Sequence, residues 1–246
     1  MPDTFGIIVV GDEILSARRR DRHFDALGEL LRDRGFGVAW LRILPDDPDY
    51  LTAEFRRTMG EGIPVFCCGG IGATPDDHTR ACAARAADVA VELHPGAVAE
   101  IEARFGAEAY PNRIKMAELP SGCELIPNPY NRIPGFSIRR HHFMPGFPDM
   151  AHPMAQWVLD THYAGGASPE RQRSLRVRGV TESSLMDLMQ QLVDAFPDAR
   201  LFSLPRLGPE FQIEIGFRGY GDLDKPFAAL VAGLEARRVA FEWPAE

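Results

Sequence analysis

Three apolar runs recur in the first seventy residues, and each gives way to a polar loop and then to a helical pattern. GIIVVG over residues 6–11 meets the acids Asp12 and Glu13, then a segment in which Phe24, Leu27, Leu30 and Leu31 share one helical face. VAWLRIL over 38–44 turns through PDDPDY into a helix carrying Leu51 and Phe55. IPVFCC over 63–68 ends in GGIGATPDD before a small-residue helix around Cys82 and Ala86. Strands this apolar have both faces covered, which is the condition of a parallel sheet between two helical layers. The spacing therefore predicts a three-layer, mainly parallel α/β domain over residues 1–163. Cys67 and Cys68, adjacent on the third strand, should point to opposite faces and cannot together chelate one zinc.

The stretch 92–143 is less regular. It holds a helix over 97–105, short strands over 123–126 and 136–138, the proline-rich loop PNPYNRIPG, and a strand whose His141 and His142 face opposite ways. MPGFPDM leads into a helix over 151–159, and the small, polar, aperiodic AGGASPERQ over 164–172 marks a boundary. Beyond it come the strand SLRVRGV, a helix striped by Leu185, Leu188, Met189, Leu192 and Val193, and a half-buried strand in which Phe211, Ile213, Ile215 and Phe217 alternate with Gln212, Glu214 and Gly216. A closing helix carries Leu223, Phe227, Leu230, Val231 and Leu234. This order predicts a small α+β domain over 168–243.

Composition narrows the function. The chain has 246 residues, 45% of them apolar, and no run reaches the roughly 18 to 20 needed to cross a bilayer. Thirty-five acidic against 27 basic residues give a net charge of −8, which opposes binding to nucleic acid or an anionic membrane but not to a small anion held by local donors. The start MPDTFGIIVV lacks a basic segment and a cleavage site, and four cysteines without CxxC spacing suit a reducing compartment. A cytoplasmic protein is expected.

GGIGATPDDHT over 69–79 is the most informative segment. Gly69, Gly70 and Gly72 let backbone N–H groups approach phosphate oxygens, with Thr74 and Thr79 as hydroxyl donors and Pro75 and Asp76 suited to a helix entry. Asp76 and Asp77 would repel a bare phosphate. Their presence fits a Mg²⁺ site, a ligand amine or an activated nucleophile, against the alternative that Asp76 is a helix cap and the glycines a turn. The segment is neither a Walker loop nor a dinucleotide fingerprint. In a parallel sheet the carboxyl ends of the strands share one edge, so Asp12 and Glu13, Asp46 and the 69–77 loop should converge there. Each acid alone is more often a cap or a solvated group. The arginines Arg18, Arg19, Arg20 and Arg22 either embrace phosphate or form a solvated approach to the helix.

GDEIL, Asp21 ahead of the Leu27 helix, Asp46, GGIGATPDDHT, PNPYNRIPGF, MPGFPDM and GVTESSL together resemble the MoaB/Mog-like molybdopterin-binding superfamily. Within it they resemble the amino-terminal part of the competence/damage-inducible protein A (CinA) family, with the small domain similar to that family's middle domain. The resemblance implies that Glu13, Asp46, Asp76 and Asp77 are catalytic, with Asp76 and Asp77 holding Mg²⁺. It implies that Gly11, Asp12, Asp21, Gly69, Gly70, Gly72, Thr74, Thr79, Pro145 and Gly146 contact the ligand. His23 stands where that family has an asparagine, and Ala73 where it often has a proline. The family's carboxyl-terminal deamidase domain has no counterpart before Glu246, so that activity is not expected.

The resemblance implies binding of a phosphorylated pterin (molybdopterin) or an adenine nucleotide, with Mg²⁺-dependent phosphoryl or pyrophosphate chemistry. The enzyme would be an ADP-ribose-type pyrophosphatase or a molybdopterin adenylyltransferase. The alternative is a non-catalytic ligand-binding or regulatory module. An apolar face on the 181–195 helix leads us to expect a homo-oligomer, which a monomer mass in light scattering would contradict.

Overall fold

The computed structural model describes residues 4–167, 170–206 and 212–243. Contacts divide the chain into two compact units, Met1–Ala167 and Ser168–Glu246. The first unit runs β1 (Thr4–Val10), α1 (Asp12–Leu15), α2 (His23–Asp33), β2 (Gly37–Leu44), α3 (Pro48–Glu61), β3 (Val65–Cys68) and α4 (Thr79–Ala87). It continues through β4 (Val91–Leu93), α5 (Pro95–Phe105), β5 (Glu118–Pro120), β6 (Glu124–Ile126), β7 (Gly135–Ile138), β8 (His141–Met144) and α6 (Pro148–His162).

Six strands form the main sheet in the order β2-β1-β3-β8-β7-β6. The first four are parallel, and β7 and β6 extend the sheet antiparallel. Alternation along the strands sorts the core into two layers. Ile8, Val10 and Cys67 pack with Leu51, Phe55, Cys82 and Ile101 of α3, α4 and α5, whereas Ile7, Val9 and Cys68 pack with Leu27, Leu31, Met154 and Val158 of α2 and α6. The two cysteines therefore face opposite layers, as their adjacency requires. All four cysteines are buried thiols, and burial pushes Cys67 and Cys68 well up, leaving both unreactive at neutral pH.

His141 and His142 part in the same way. His141 Nε2 is 2.8 Å from Thr58 Oγ1 of α3, and His142 Nε2 is 3.0 Å from the Tyr163 hydroxyl. Burial pushes the two imidazoles down to about 4 and about 3, so both are neutral at pH 7.

The hairpin between β7 and β8 closes on two residues, Arg139 and Arg140, both left-handed at φ 49° and 63°. A two-residue turn with positive φ at both positions prefers Asn-Gly. Each non-glycine residue held there costs about 1–2 kcal/mol.

Helix boundaries and faces differ from expectation at several points. On α2 the buried face is His23, Leu27 and Leu31, spaced by four, while Phe24 is 39% exposed one step round the helix. The pair β4–β5 was not expected, because three residues with Val91 and Leu93 exposed are too short and too open to write a strand pattern.

The second unit contains β9 (Arg171–Arg178), α7 (Glu182–Ala195), β10 (Arg200–Arg206), β11 (Gln212–Gly219), α8 (Asp224–Ala236) and β12 (Phe241–Glu242). Its antiparallel sheet has the order β10-β11-β9-β12. β9 begins three residues before the apolar pattern, since polar Arg171, Gln172 and Arg173 pair with the end of β11. Ile213, Ile215 and Phe217 are buried against Leu185, Leu188, Leu192, Phe227 and Leu230, but Val193 turns outward. Phe211 lies outside the described residues, and the two-residue β12 was too short to leave a sequence pattern. No helix among the described residues is long and apolar enough to cross a membrane.

Candidate functional site

Strand ends β1, β2, β3 and β8 meet at one edge, as parallel order demands. A cleft of about 490 Å³ opens there. Of the residues expected to form the site, Gly11, Glu13, Asp46, Gly69, Gly70, Gly72, Thr74, Asp76, Asp77, Pro145 and Gly146 line it. Asp12, Asp21 and Thr79 do not, and the two aspartates serve the loops around it.

Asp12 joins two loops. Its N–H donates to Asp46 Oδ2 at 3.0 Å, and Asp46 N–H donates back to Asp12 Oδ1 at 3.3 Å, clasping the loop after β1 to the loop after β2. Asp21 accepts from the N–H groups of His23 and Phe24 at 2.9 and 3.0 Å, which satisfies the start of α2. It lines an adjoining cavity of about 350 Å³ that shares Glu13, Arg19, Gly146 and Phe147 with the cleft. Thr79 is fully buried beneath Gly70, and its hydroxyl has no hydrogen-bond partner among the described residues.

The glycines first make room for protein. A Cβ at Gly69, whose φ is +113°, would lie 2.2 Å from the Val10 carbonyl oxygen, and its N–H donates to Met144 O at 3.0 Å. Gly69 thus sits where β1, β3 and β8 come closest. A Cβ at Gly70, φ +67°, would strike the Thr79 hydroxyl at 2.3 Å, and one at Gly72 would strike Asp77 Oδ2 at 2.5 Å. Close approach of backbone to a ligand is a second consequence of the same bare loop.

Asp76 is not the cap of α4. The helix starts at Thr79, after His78, and no side chain caps it. Both aspartates instead converge on Thr74: its hydroxyl lies 2.5 Å from Asp76 Oδ1 and 2.6 Å from Asp77 Oδ2, and its N–H donates to Asp77 Oδ2 at 2.8 Å. One hydroxyl hydrogen serves one carboxylate at a time, so two anions are held together with a single proton between them. The Thr74 hydrogen bond holds the Asp76 carboxyl below its ordinary range.

Asp46 behaves oppositely. Burial pushes its carboxyl up, and the charges of Asp12, Glu13 and Asp76 add to that, against the Asp12 N–H that favours the anion. Acids from three strand ends therefore sense one another in one cleft. With the folded value raised, the folded state binds more protons than the unfolded chain just above the ordinary aspartate range, so stability falls as pH rises through that window and stays lowered at neutral pH. Asp46→Asn keeps an acceptor for Asp12 N–H and removes the charge. It should raise the midpoint of thermal unfolding at pH 7 and flatten its decline as pH rises above the ordinary aspartate range. A lowered midpoint at pH 7 would show that the charge is not a burden.

Arg80 escaped the sequence reading. It is buried at 9% exposure, donates from Nη2 to Gly72 O at 2.7 Å and from Nη1 to the carbonyls of Lys115 and Glu118, and so ties the glycine loop to the segment before β5. Burial lowers its guanidinium from the usual value, partly offset by Glu118 and Asp77. One signal was present: a cation in the first turn of a helix sits at the unfavourable end of the dipole, so its charge serves something else. Arg80→Met should cost about 2–4 kcal/mol in chemical denaturation, because three carbonyls lose a charged donor. A cost near zero would mean that water replaces it.

The remaining wall is apolar and mixed. Met116, Asn131, Ile133, Phe147 and Met150 line the cleft, Phe147 with 59% exposure, and an Asx turn in which Asn131 Oδ1 accepts from Ile133 N–H shapes the PNPYNRIPG loop. Of the four arginines before α2, Arg19 reaches the cleft and is the one cation on its wall among the described residues. His23 Nε2 lies 3.3 Å from Gly146 O, joining α2 to the loop after β8. Among the described residues no three His, Cys, Asp or Glu side chains are placed to hold a metal by themselves.

A glycine loop, a ring of carboxylates and an apolar shelf at the carboxyl edge of a parallel sheet define an α/β ligand-binding domain. Residues 6–163 match the family described as "Probable molybdopterin binding domain", and the chain belongs to that family, with a MoaB/Mog-like fold related to the amino-terminal domain of CinA-like proteins. It is 29% identical over 242 residues to a CinA-like protein of Citrifermentans bemidjiense, covering 95% of this chain and 58% of that protein. It is 34% identical over 161 residues to one of Anaeromyxobacter dehalogenans, covering 62% of this chain and 40% of the relative. The chain thus spans about half the length of these relatives. The crystal structure of the protein CinA from Thermoplasma acidophilum superposes with a TM-score of 0.60 at 27% identity, over 65% of this chain and 97% of that one.

Proposed function

We propose that the cleft binds a phosphorylated pterin (molybdopterin) or an adenine nucleotide and carries out Mg²⁺-dependent phosphoryl or pyrophosphate chemistry on it. The observation that carries this reading is the convergence of Glu13, Asp46, Asp76 and Asp77 around the glycine loop, with Asp46 raised by burial first and by its acidic neighbours second. Phosphates brought to such a place need a cation. Mg²⁺ is commonly held by one or two carboxylates and the substrate's own phosphate oxygens, and the donor set here fits that mode and not an all-protein cage.

In this reading Asp76 and Asp77 hold the cation, which when bound neutralises charge developing at phosphorus. Backbone N–H groups of the 69–74 loop hold phosphate oxygens, with Arg19 on the facing wall. Glu13 or Asp46 accepts a proton from the attacking water, and burial makes Asp46 a stronger base than an ordinary carboxylate. Phe147, Met116 and Met150 give a planar ring an apolar shelf.

A second reading is a binding or regulatory module without turnover. It draws on the Thr74 hydrogen bonds, which already occupy one oxygen of each aspartate. The two readings separate when unfolding is followed with Mg²⁺ plus ADP-ribose or molybdopterin, and the mixtures are then analysed for products. Stabilisation with release of AMP and ribose 5-phosphate from ADP-ribose, or, with ATP added to the molybdopterin mixture, with transfer of its adenylyl group to molybdopterin and release of pyrophosphate, supports the enzyme. Stabilisation without product supports the module, and no stabilisation by either ligand would overturn both.

A further inference from the structure

At the opposite edge of the main sheet, where β8 begins, a cavity of about 830 Å³ opens that shares no lining residue with the cleft. Its wall includes Ser137, Arg139, Arg140, His142, His162 and Tyr163. The two arginines are the left-handed pair of the β7–β8 turn, a position where glycine is free of strain and a charged side chain is not required by the fold. Arg140 donates from Nη1 to Gly62 O at 2.8 Å, and its guanidinium also hydrogen-bonds the Tyr163 phenol, opposing the upward push of burial there. The Arg139 guanidinium has no hydrogen bond or ion pair among the described residues. The one acid on this wall among the described residues is Glu124, whose carboxylate lies 3.7 Å from His162 Nε2.

The buried His142 bridges two hydroxyls, with Nδ1 2.8 Å from Ser137 Oγ and Nε2 3.0 Å from the Tyr163 oxygen. A neutral imidazole has one N–H and one lone pair, so one hydroxyl gives its hydrogen to the ring and the other accepts from it. The accepting hydroxyl keeps its own hydrogen for something else. Among the described residues that O–H and the Arg139 guanidinium have no acceptor, and Arg140 keeps N–H groups beyond the one given to Gly62 O. His162, stacked on His142 with centroids 6.0 Å apart and edge-on to Trp157, closes one side.

We propose that this cavity is a second ligand site that takes a small anion bearing a phosphate or carboxylate group, bound by Arg139 and Arg140 and by the free hydroxyl of the Ser137–His142–Tyr163 relay. Guanidinium planes match both kinds of oxyanion in bidentate fashion. The cavity stands apart from the glycine-loop cleft and does not depend on what that cleft binds.

The test uses the full chain and two probes, inorganic phosphate and citrate, titrated by calorimetry while imidazole ¹⁵N–¹H spectra locate the binding. His142 and His162 should shift with at least one probe, and the probe that moves them identifies the oxyanion. Arg139→Gly suits the left-handed turn, so its thermal midpoint should equal or exceed that of the wild type while affinity at this site falls about tenfold or more, the loss of one charged donor. Neither probe moving the His142 and His162 signals would overturn the proposal. So would an Arg139→Gly protein that binds the anion as the wild type does.

Discussion

Asp77→Asn should lose the Mg²⁺-dependent part of ligand affinity, about 10- to 100-fold, the effect of removing one charged partner, with the fold intact. Asparagine is the informative replacement here. It keeps an oxygen for the Thr74 N–H that donates to Asp77 Oδ2 at 2.8 Å, so the turn survives while the charge goes. Asp76→Asn should act in the same direction, since Asp76 meets the same Thr74 hydroxyl and sits on the same cleft wall. The Thr74 hydrogen bond favours the Asp76 anion in the folded state, so Asp76→Asn should slightly lower the stability of the empty protein at pH 7 while leaving it folded. Calorimetry with ADP-ribose, with and without Mg²⁺, reads the first effect and thermal unfolding the second. Variants that retain an unchanged Mg²⁺ dependence would return both acids to the scaffold.

Gly69→Ala should have the largest effect on stability, about 3 kcal/mol or more, which for a unit of this size lowers the unfolding midpoint by roughly 10 °C. Two terms add. A φ of +113° is disfavoured for alanine, and the new Cβ would lie 2.2 Å from the Val10 carbonyl oxygen. Backbone cannot yield as a flexible side chain can, because Gly69 N–H is committed to Met144 O and the Val10 strand is paired on both sides. Gly146→Ala provides the contrast, since its Cβ would meet Gly69 Cα at 3.4 Å, near ordinary contact. It should fold normally. A Gly69→Ala protein as stable as Gly146→Ala would mean that the edge is looser than its hydrogen bonds indicate.

What the sequence made legible follows from how strongly each feature is written. Apolar runs mark β1, β2 and β3, buried in β1 and β3 and half-buried in the edge strand β2, and parallel order then brings Glu13, Asp46 and the glycine loop to one edge. Local polar chemistry is written less plainly. Asp76 reads as a helix entry, yet α4 starts three residues later because Thr74 takes both aspartates into a turn first. Asp12 and Asp21 are expected as ligand contacts, and in the fold their carboxylates accept from the backbone N–H groups of Asp46, His23 and Phe24, a pairing no sequence pattern announces.

Long-range pairings left almost no mark. Arg80 reaches carbonyls 35 and 38 residues away, and Arg139 and Arg140 look like an ordinary charged turn until their positive φ and the cavity behind them are seen together. The apolar shelf was half legible. PNPYNRIPG and MPGFPDM stood out as motifs, but only the folded path brings Asn131, Ile133 and Phe147 to the same wall.

The placement of a cation between phosphate and the paired aspartates is tested most directly by ³¹P relaxation of bound ADP-ribose with Mn²⁺ in place of Mg²⁺. Paramagnetic broadening of both phosphate signals in the wild type, and its loss in the Asp76→Asn/Asp77→Asn double variant at saturating ligand, is the result expected. Broadening that is absent in the wild type, or undiminished in the double variant, would contradict a cation site on these two acids.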